Sequence, residues 1–595
     1  MTVITVVIES TFTGPAGGFH HITIDDSLPV QELISQFCLA KGAEENPSYT
    51  LMNRSNVYLD NKRPISAFFI KDGDLLRLMG NRNKTRWIFG HWLIAAAIGM
   101  FVGILGITMC VLLYAVFRNI PDNYAMVIDA GSTHTDMILY SWPGSKRNNT
   151  GEVTQVHLCS AAGGIAEVSL ENISVYFKPC FDESYAFIKD ESQKNAEVLF
   201  GATAGMRLLN QTDPKKASDV ITGVKNYFRE SDWQIKERNV GIIAGSTEGV
   251  SGWITTNFLL QTVLKKGSVD DTSGAMDLGG ASTQISFEVS DSFKDSENVY
   301  PITLFGNRFY IFSQSFICHG VVQSLMRYRA ALVIEQSNPE GETVDFKSPC
   351  EPLGGNFSTN SSYFSSVCVR ADFVKGGQTY NFVGTGNYSE CQRVISNLLN
   401  YTECINAKLG HCVDPDKIPA EATRRRFFAF AAYSYITTDL HIPMISSRVE
   451  AERRIKVLCD YTKAQLVGVK AVSKNKKRKF ETLCFEGQYM FTLLSELYGF
   501  KTDDEWTHIS FTNQVKSTTL GWSLGYMVNA TEEIAAAPPI PKLKVLPFSL
   551  LIVLFVIFVL LSIAFSIHGY KKGKNATGYQ SSSKAPSQKS VISVL

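Results

Sequence analysis

The chain of 595 residues has almost no net charge, +1 at pH 7 from 57 Lys and Arg against 56 Asp and Glu. Without a basic excess there is no electrostatic footprint for nucleic acid, and none is expected as a partner. No CxxC pair and no Cys/His spacing of zinc type occurs among the 12 cysteines, which excludes the common structural zinc sites. Dense basic runs are also lacking, except "KNKKRKF" at 474 to 480. Lying between Cys459 and Cys484, it reads as a solvated loop, with lipid head groups or anionic glycans as the alternative contact. Acidic residues, Lys and Arg are absent altogether from the 26 residues Trp92 to Phe117 and the 23 residues Val545 to Ile567. Each stretch is long enough to cross a hydrocarbon core as a helix, and neither belongs in a soluble protein.

What flanks these spans orients them. Arg82, Lys84, Arg86 and His91 precede the first, in a basic linker of residues 81–91, and His568, Lys571, Lys572 and Lys574 follow the second. Both termini are therefore expected in the cytosol and residues 118–544 on the far side of the membrane. The first span lies too far from the N-terminus to be a cleaved signal peptide. Ten of the cysteines fall between the spans, an even number that suggests five disulfides in an oxidising compartment. Glycan acceptors occur there at Asn148, Asn172, Asn210, Asn356, Asn360, Asn387, Asn400 and Asn529. Chance sequons at Asn53, Asn83 and Asn575 on the cytosolic side make these supporting signals only. Residues 568–595, rich in Ser, Lys and Gly, read as a disordered cytosolic tail.

Residues 1–80 carry a pattern of their own. "VITVVIES" and "FHHITID" alternate as paired strands, "PVQELISQFCLAKG" has helical spacing, and "YTLMN", "VYLD" and "DLLRLM" read as short strands. The order resembles the ubiquitin-like β-grasp fold. With no terminal Gly-Gly before the membrane span, the expected role is binding of a cytosolic partner rather than conjugation; a folded stub without a partner is the plain alternative.

Between the spans the chain repeats itself. "MVIDAGSTHTDMIL" at 126–139 and "AMDLGGASTQISF" at 275–287 share one design: an apolar strand, Asp, a Gly turn with hydroxyls, and a second alternating strand. Two such hairpins imply a duplicated domain. Facing each other, they can offer backbone N–H groups and hydroxyls to a polyphosphate from both sides of a cleft. Asp129 and Asp277 would then lie together beneath it, suited to a hydrated divalent cation. The arrangement resembles the actin, hexokinase and heat-shock chaperone ATPase superfamily: an α/β, two-lobed, RNase H-like duplicated domain over residues 122–535, held between two transmembrane helices.

Three further stretches narrow the resemblance. "LFGATAGMRLL" (199–209) sets Thr203 and Gly205 in a turn before a helix with Arg207; "IIAGSTEGVSGWITTNFLL" (242–260) sets Glu248 at the start of another; "LGWSLGYMVN" spans 520–529. In order and spacing the five stretches resemble the apyrase conserved regions of the ecto-nucleoside triphosphate diphosphohydrolases, the GDA1/CD39-type nucleotidases. With two spans, ten cysteines between them and "DEWTHISF", the chain is most similar to the cell-surface branch. The resemblance implies hydrolysis of nucleoside tri- and diphosphates to monophosphates, with Ca²⁺ or Mg²⁺ as cofactor.

Site roles follow from that resemblance. Glu248 matches the carboxylate that activates water, although an acid there also simply favours a helix N-terminus. Ser282 and Gln284 match positions that place the water, Thr203 one beside the terminal phosphate, and Asp129 and Asp277 the metal ligands acting through water. Gly131, Ser132, Thr133 and His134, with Gly279, Gly280, Ala281 and Ser282, would line the phosphates. His134 is expected to tune selectivity at most, and Arg207 to be a structural ion-pair partner. Base stacking falls to Tyr433 and Tyr435 in "FAFAAYSYI", where a strand reading would put both rings on one face and core packing competes. The implied disulfides are Cys159–Cys180, Cys318–Cys368, Cys350–Cys391, Cys404–Cys412 and Cys459–Cys484.

The alternatives are a Golgi or lysosomal lumenal nucleoside diphosphatase of identical topology, a nucleotide-sensing receptor signalling through residues 1–80, and a sugar kinase sharing the core. A pure binder has no need of Glu248, and a kinase is cut off from cytosolic ATP by the disulfides and glycans. The resemblance also allows self-association through the transmembrane helices, for which "GMFVG", Gly99 to Gly103, has close-packing spacing.

Overall fold

The computed structural model describes residues 2–11, 17–80, 83–188, 196–230, 233–337, 345–370, 377–406, 408–472, 480–535 and 539–578. Most of the basic run, at 474–479, lies outside the described residues, as do 81–82 of the linker and the end of the tail from 579. The chain divides into two units, residues 1–118 with 541–595, and residues 119–540.

In the first unit, β1 (Val3–Ser10), β2 (Gly18–Asp25), β3 (Tyr49–Met52) and β4 (Leu75–Gly80) form a sheet of order β2-β1-β4-β3. β1 and β4 run parallel while the outer pairings are antiparallel. Alternate residues of β1 point inward, and Ile4, Val6 and Ile8 share a core with Val30, Leu33, Ile34 and Phe37 of α1 (Val30–Ala40). "VYLD", expected as a strand, forms only the bridge Met52↔Tyr58. Asn53 prevents more, because its Oδ1 accepts from the N–H groups of Ser55 and Val57 and folds the segment into a turn.

The helices α2 (Asn83–Val111) and α16 (Val545–Gly578) carry the candidate spans His91–Val116, whose last five residues form a π turn, and Val545–Lys572. Glycines bring them together: a Cβ on Gly99, Gly103 or Gly106 would meet Ser562, Val559 or Phe555 at 2.3, 2.5 and 2.3 Å. The small-residue face of "GMFVG" is thus filled by α16 of the same chain. α16 continues as a helix to Gly578, where disorder was expected from residue 568; that stretch contains no proline to stop an established helix.

The second unit follows the two-residue strand β5 (Arg118–Asn119). Its first lobe holds β6 (Asn123–Ala130), β7 (His134–Trp142), β8 (Thr154–Ala162), α3 (Ile173–Tyr185), β9 (Glu197–Ala202), α4 (Ala204–Thr212), α5 (Pro214–Arg229) and β10 (Gln234–Ile242), with sheet order β10-β9-β6-β7-β8. α6 (Gly245–Leu259) leads to the second lobe: β11 (Gly274–Leu278), β12 (Ser282–Glu288), β13 (Val299–Leu304), β14 (Asn307–Ile317) and α7 (Val321–Gln336). A small sheet of β15 (Asp345–Ser348), β16 (Asn356–Asn360) and β17 (Thr379–Gly384) follows, then α8 (Tyr388–Leu399), α9 (Tyr401–Asn406), β18 (Phe427–Ala431) and α10 (Ala432–Asp439). α11 (Arg448–Cys459), α12 (Lys463–Val472), α13 (Leu483–Thr492), α14 (Asp503–Thr507), β19 (Ile509–Phe511) and α15 (Trp522–Ala530) complete it.

The second sheet has the order β13-β14-β12-β11-β18-β19. Apart from the added edge strand β13, both sheets run third-second-first-fourth-fifth, the first three antiparallel and the last two pairings parallel. The hairpin repeat is therefore a repeat of whole sheets. A shared core joins them: Val127 and Tyr140 from one sheet, Ala275, Ile311 and Phe430 from the other, with Trp253 of α6 and Met527 of α15. α6 and α15 touch backbone to backbone, since a Cβ on Gly525 would stand 1.9 Å from the Ser251 carbonyl.

The ten cysteines of this unit form Cys159–Cys180 in the first lobe and Cys318–Cys368, Cys350–Cys391, Cys404–Cys412 and Cys459–Cys484 in the second. All eight sequon asparagines between the spans are exposed. Three of them also end structure locally. Asn387 Oδ1 accepts from Glu390 N at the start of α8, Asn400 Oδ1 from Glu403 N at the start of α9, and Asn360 Oδ1 from Ser362 N.

Candidate active site

The turns of the two equivalent hairpins face each other. A Cβ on Gly280 would lie 2.9 Å from Ser132 Oγ and 3.9 Å from Thr133 Cγ2, so the second turn approaches the first as closely as glycine permits. Each turn is held from behind. Thr203 N donates to Ala130 O, and Gly205 packs on Ser132, where a Cβ would meet Cα at 3.0 Å. On the other side, N–H groups at the start of α7 donate to the second turn: Val321 to Gly279 O, Val322 to Gly280 O. With carbonyls tied back in this way, the turns present their N–H edges toward an anion. Gly131, Ser132, Gly279 and Gly280 are partly exposed and Thr133 and His134 exposed, whereas Thr203, Ala281 and Ser282 are buried.

Glu248 sits in the first turn of α6, 9% exposed, inside a network of nitrogen donors. Its Oε2 accepts from Arg207 Nη2 at 2.9 Å and lies 3.1 Å from Gln284 Nε2. The same two nitrogens reach Ser282 Oγ at 3.0 and 2.9 Å. Gln284 is held in turn by Ser315 Oγ at 3.1 Å, and Arg207 by the Ile243 carbonyl. Two consequences follow. Arg207 Nη2 and Gln284 Nε2, whose two protons are shared among Glu248, Ser282 and Ser315, approach the lone-pair side of Ser282 Oγ and leave its own proton to direct a water. Glu248 Oε1 has no hydrogen-bond partner among the described residues and is the oxygen left to take a proton. Burial pushes the Glu248 carboxyl above its usual value, with the Arg207 guanidinium opposing.

Asp129 and Asp277 end the first strands of the two hairpins, both partly buried. Burial, the Glu248 charge and Asp136 lift Asp129 to about 7, against the Trp522 indole and His134. Burial, Glu248 and Asp129 raise Asp277 well above the ordinary carboxylate range. Arg207, the one guanidinium at the cluster among the described residues, is already spent on Glu248. Two oxygen-only donors that repel each other fit a hard divalent cation such as Ca²⁺ or Mg²⁺. Among the described residues no three His, Cys, Asp or Glu side chains gather tightly enough to ligate a metal directly.

The structure does not bring every expected residue to this cleft in the expected form. Residues 432–439 are helical, as α10, and not a strand. Tyr433 is fully buried in the core of the second lobe, so its ring is unavailable to a base; Tyr435 is 57% exposed. The helix arises because the chain leaves β18 at Ala431 (φ 56°) where, in the other sheet, it leaves β9 for α4. Ser315, Asp136 and Trp522 were not expected at the site. Asp136 had a readable signal in its place in the repeat and Trp522 in the stretch "LGWSLGYMVN"; Ser315 had none.

Doubled sheet order assigns the protein to the two-lobed α/β folds of actin/hexokinase kind, and the paired glycine turns mark it as one that handles phosphate. Comparison with known proteins narrows that class. The chain belongs to the GDA1/CD39 (nucleoside phosphatase) family, whose model matches residues 116–544. It is 33% identical over 434 residues to ectonucleoside triphosphate diphosphohydrolase 8 of Gallus gallus, covering 70% of this chain and 85% of that one. To ectonucleoside triphosphate diphosphohydrolase 1 of Mus musculus it is 31% identical over 470 residues, 76% and 89% of the two chains. To ectonucleoside triphosphate diphosphohydrolase 2 of Homo sapiens it is 30% identical over 496 residues, 80% and 94%. Among solved structures, nucleoside triphosphate hydrolases from Neospora caninum share the fold with a TM-score of 0.51 at 14% identity, over 73% of this chain and 96% of that one.

Proposed function

We infer that this protein hydrolyses nucleoside tri- and diphosphates to monophosphates by direct attack of water on the terminal phosphoryl group. The observation that carries the reading is Glu248: one carboxylate oxygen anchored by Arg207 and Gln284, the other left over beside two facing phosphate turns. Glu248 Oε1 takes a proton from water aimed by Ser282 and Gln284. The water oxygen forms a bond to phosphorus as the phosphoanhydride bond breaks, and the shortened nucleotide leaves. Ser132, Thr133, Thr203 and the N–H groups of both turns hold the phosphates. Asp129 and Asp277 would hold the divalent cation through water, and when bound it neutralises phosphate charge. Tyr435 is the ring available for the base.

The finer expectations belong to the same reading. Two membrane helices, five disulfides and exposed sequons between them support an ectodomain outside the cytosol, with both termini inside. The strand order of residues 1–80 supports a ubiquitin-like module for a cytosolic partner. Phosphate release from ATP, ADP and UDP outside intact cells, with Ca²⁺ or Mg²⁺ and then EDTA, tests the reading. Cation-dependent release that E248Q abolishes is the expected result. Release only after permeabilisation would move the enzyme to an internal lumen, and undiminished turnover by E248Q would overturn the mechanism.

A further inference from the structure

Strand register aligns the two hairpins residue by residue. Asp129 pairs with Asp136 across the first, as Asp277 pairs with Gln284 across the second. Thr135 and Thr283 correspond, and each lies against a tyrosine hydroxyl, Tyr176 at 2.7 Å and Tyr498 at 2.9 Å. One strand further out, Asp136 pairs with Ser160 as Gln284 pairs with Ser315. The water-aiming group Ser282–Gln284–Ser315 therefore has a counterpart in the first lobe, His134–Asp136–Ser160.

The counterpart is also connected internally. Ser160 Oγ donates to Asp136 Oδ1 at 2.5 Å, as Ser315 meets Gln284 at 3.1 Å. Asp136 Oδ2 lies 3.7 Å from His134 Nε2, and the other ring nitrogen, Nδ1, lies 3.1 Å from Thr133 Oγ1 on the phosphate turn. The imidazole is hydrogen-bonded to Thr133 through one nitrogen and lies within ion-pair distance of Asp136 through the other. Lying between Asp136 and Thr133, the His134 ring sets the direction in which the Thr133 hydroxyl points.

Resting on the reading of this cleft as a nucleotide site, we propose that Asp136 is a positioning residue. It fixes the His134 imidazole and, through it, Thr133, so that the first hairpin grips the phosphate chain while the second performs the chemistry. Asp136 itself touches no phosphate.

The test uses the full chain in membranes. KM and kcat for ATP and ADP, with affinity for non-hydrolysable adenosine 5′-(β,γ-imido)triphosphate, are compared for wild type, D136S, D136N, H134A and D136S/H134A. A charge-assisted contact of this kind predicts an about five- to tenfold rise in KM and an equal loss of analogue affinity in D136S, with a smaller change in kcat. D136N, which keeps the shape and an acceptor, falls between, and the double variant matches H134A alone. Multiplying losses in the double variant, or a fall in kcat with KM and analogue affinity at wild-type values, would overturn the proposal. If D136S does not fold, unchanged analogue affinity in D136N overturns it equally. A wild-type protein that hydrolyses neither nucleotide would sink the proposed function instead.

Discussion

The two hairpins share a register and differ in charge. Around Asp277 stand an amide, Gln284, and a hydroxyl, Ser282, with Glu248 brought in by the first turn of α6. Around Asp129 stand a carboxylate, Asp136, and an imidazole, His134, and the first turn of α15 brings no acid. Duplication alone makes a symmetric cradle able to hold a polyphosphate. Hydrolysis requires asymmetry, because a single water must be aimed at one end of the phosphate chain. An uncharged Gln284 can hold a water beside two carboxylates without adding a third like charge. An acid there would compete with Glu248 for protons.

That division of labour fails if the second hairpin is dispensable. E248Q is expected to lower kcat by about 10²- to 10⁴-fold, the usual worth of a general base, with KM little changed; steady-state kinetics with ATP decides it. Next in size is G320A. Its Cβ would stand 2.3 Å from Ala281 N and 2.4 Å from the Gly280 carbonyl carbon, pushing the second turn bodily. Displacement on that scale costs about 10²-fold in kcat/KM, whereas G241A, with nothing within 4 Å, leaves activity unchanged.

R207Q sharpens the comparison through pH. Arg207 opposes the burial that lifts Glu248, so its removal raises the carboxyl further. Since the base acts deprotonated, the acid limb of kcat moves to higher pH, and activity at neutral pH falls by about tenfold. Unchanged limb position would detach Arg207 from the base. The smallest effect is on stability. Asp129 is raised to about 7, so between its ordinary value and 7 the folded state holds more protons than the unfolded one, and stability falls as pH rises. Without divalent cation the melting temperature should drop by a few degrees from pH 5 to 7.5; Ca²⁺ or Mg²⁺ restores it, and D129N makes the profile shallower, leaving the part due to Asp277 and Glu248.

Much of this was legible because the governing patterns are local. Period-two alternation around Asp-x-Gly marks each hairpin, and charge-free runs mark the two long apolar helices. What escaped depends on distant chain. Ser315 reaches Gln284 from β14, and nothing in its own stretch announces that. The aromatic alternation of "FAFAAYSYI" imitates a strand, yet the sheet ends at Ala431, because the fourth strand of each lobe turns into a helix at the cleft. Knowing the register of the repeat would have corrected that reading and exposed Asp136 as the counterpart of Gln284.

The capping asparagines bear on how glycan removal is interpreted. An N-linked sugar is carried on Nδ2, whereas Asn387, Asn400 and Asn360 anchor backbone N–H groups through Oδ1, so one side chain can serve both ends at once. Replacing these asparagines with glutamine would remove any sugar attached there and also unfasten the start of a helical segment, at about 1 kcal/mol each. Loss of secretion or activity in such variants would then be blamed on carbohydrate when part of it belongs to the backbone. Substituting the acceptor hydroxyls instead, S389A or T402A, removes any sugar while leaving the capping side chain, and separates the two effects.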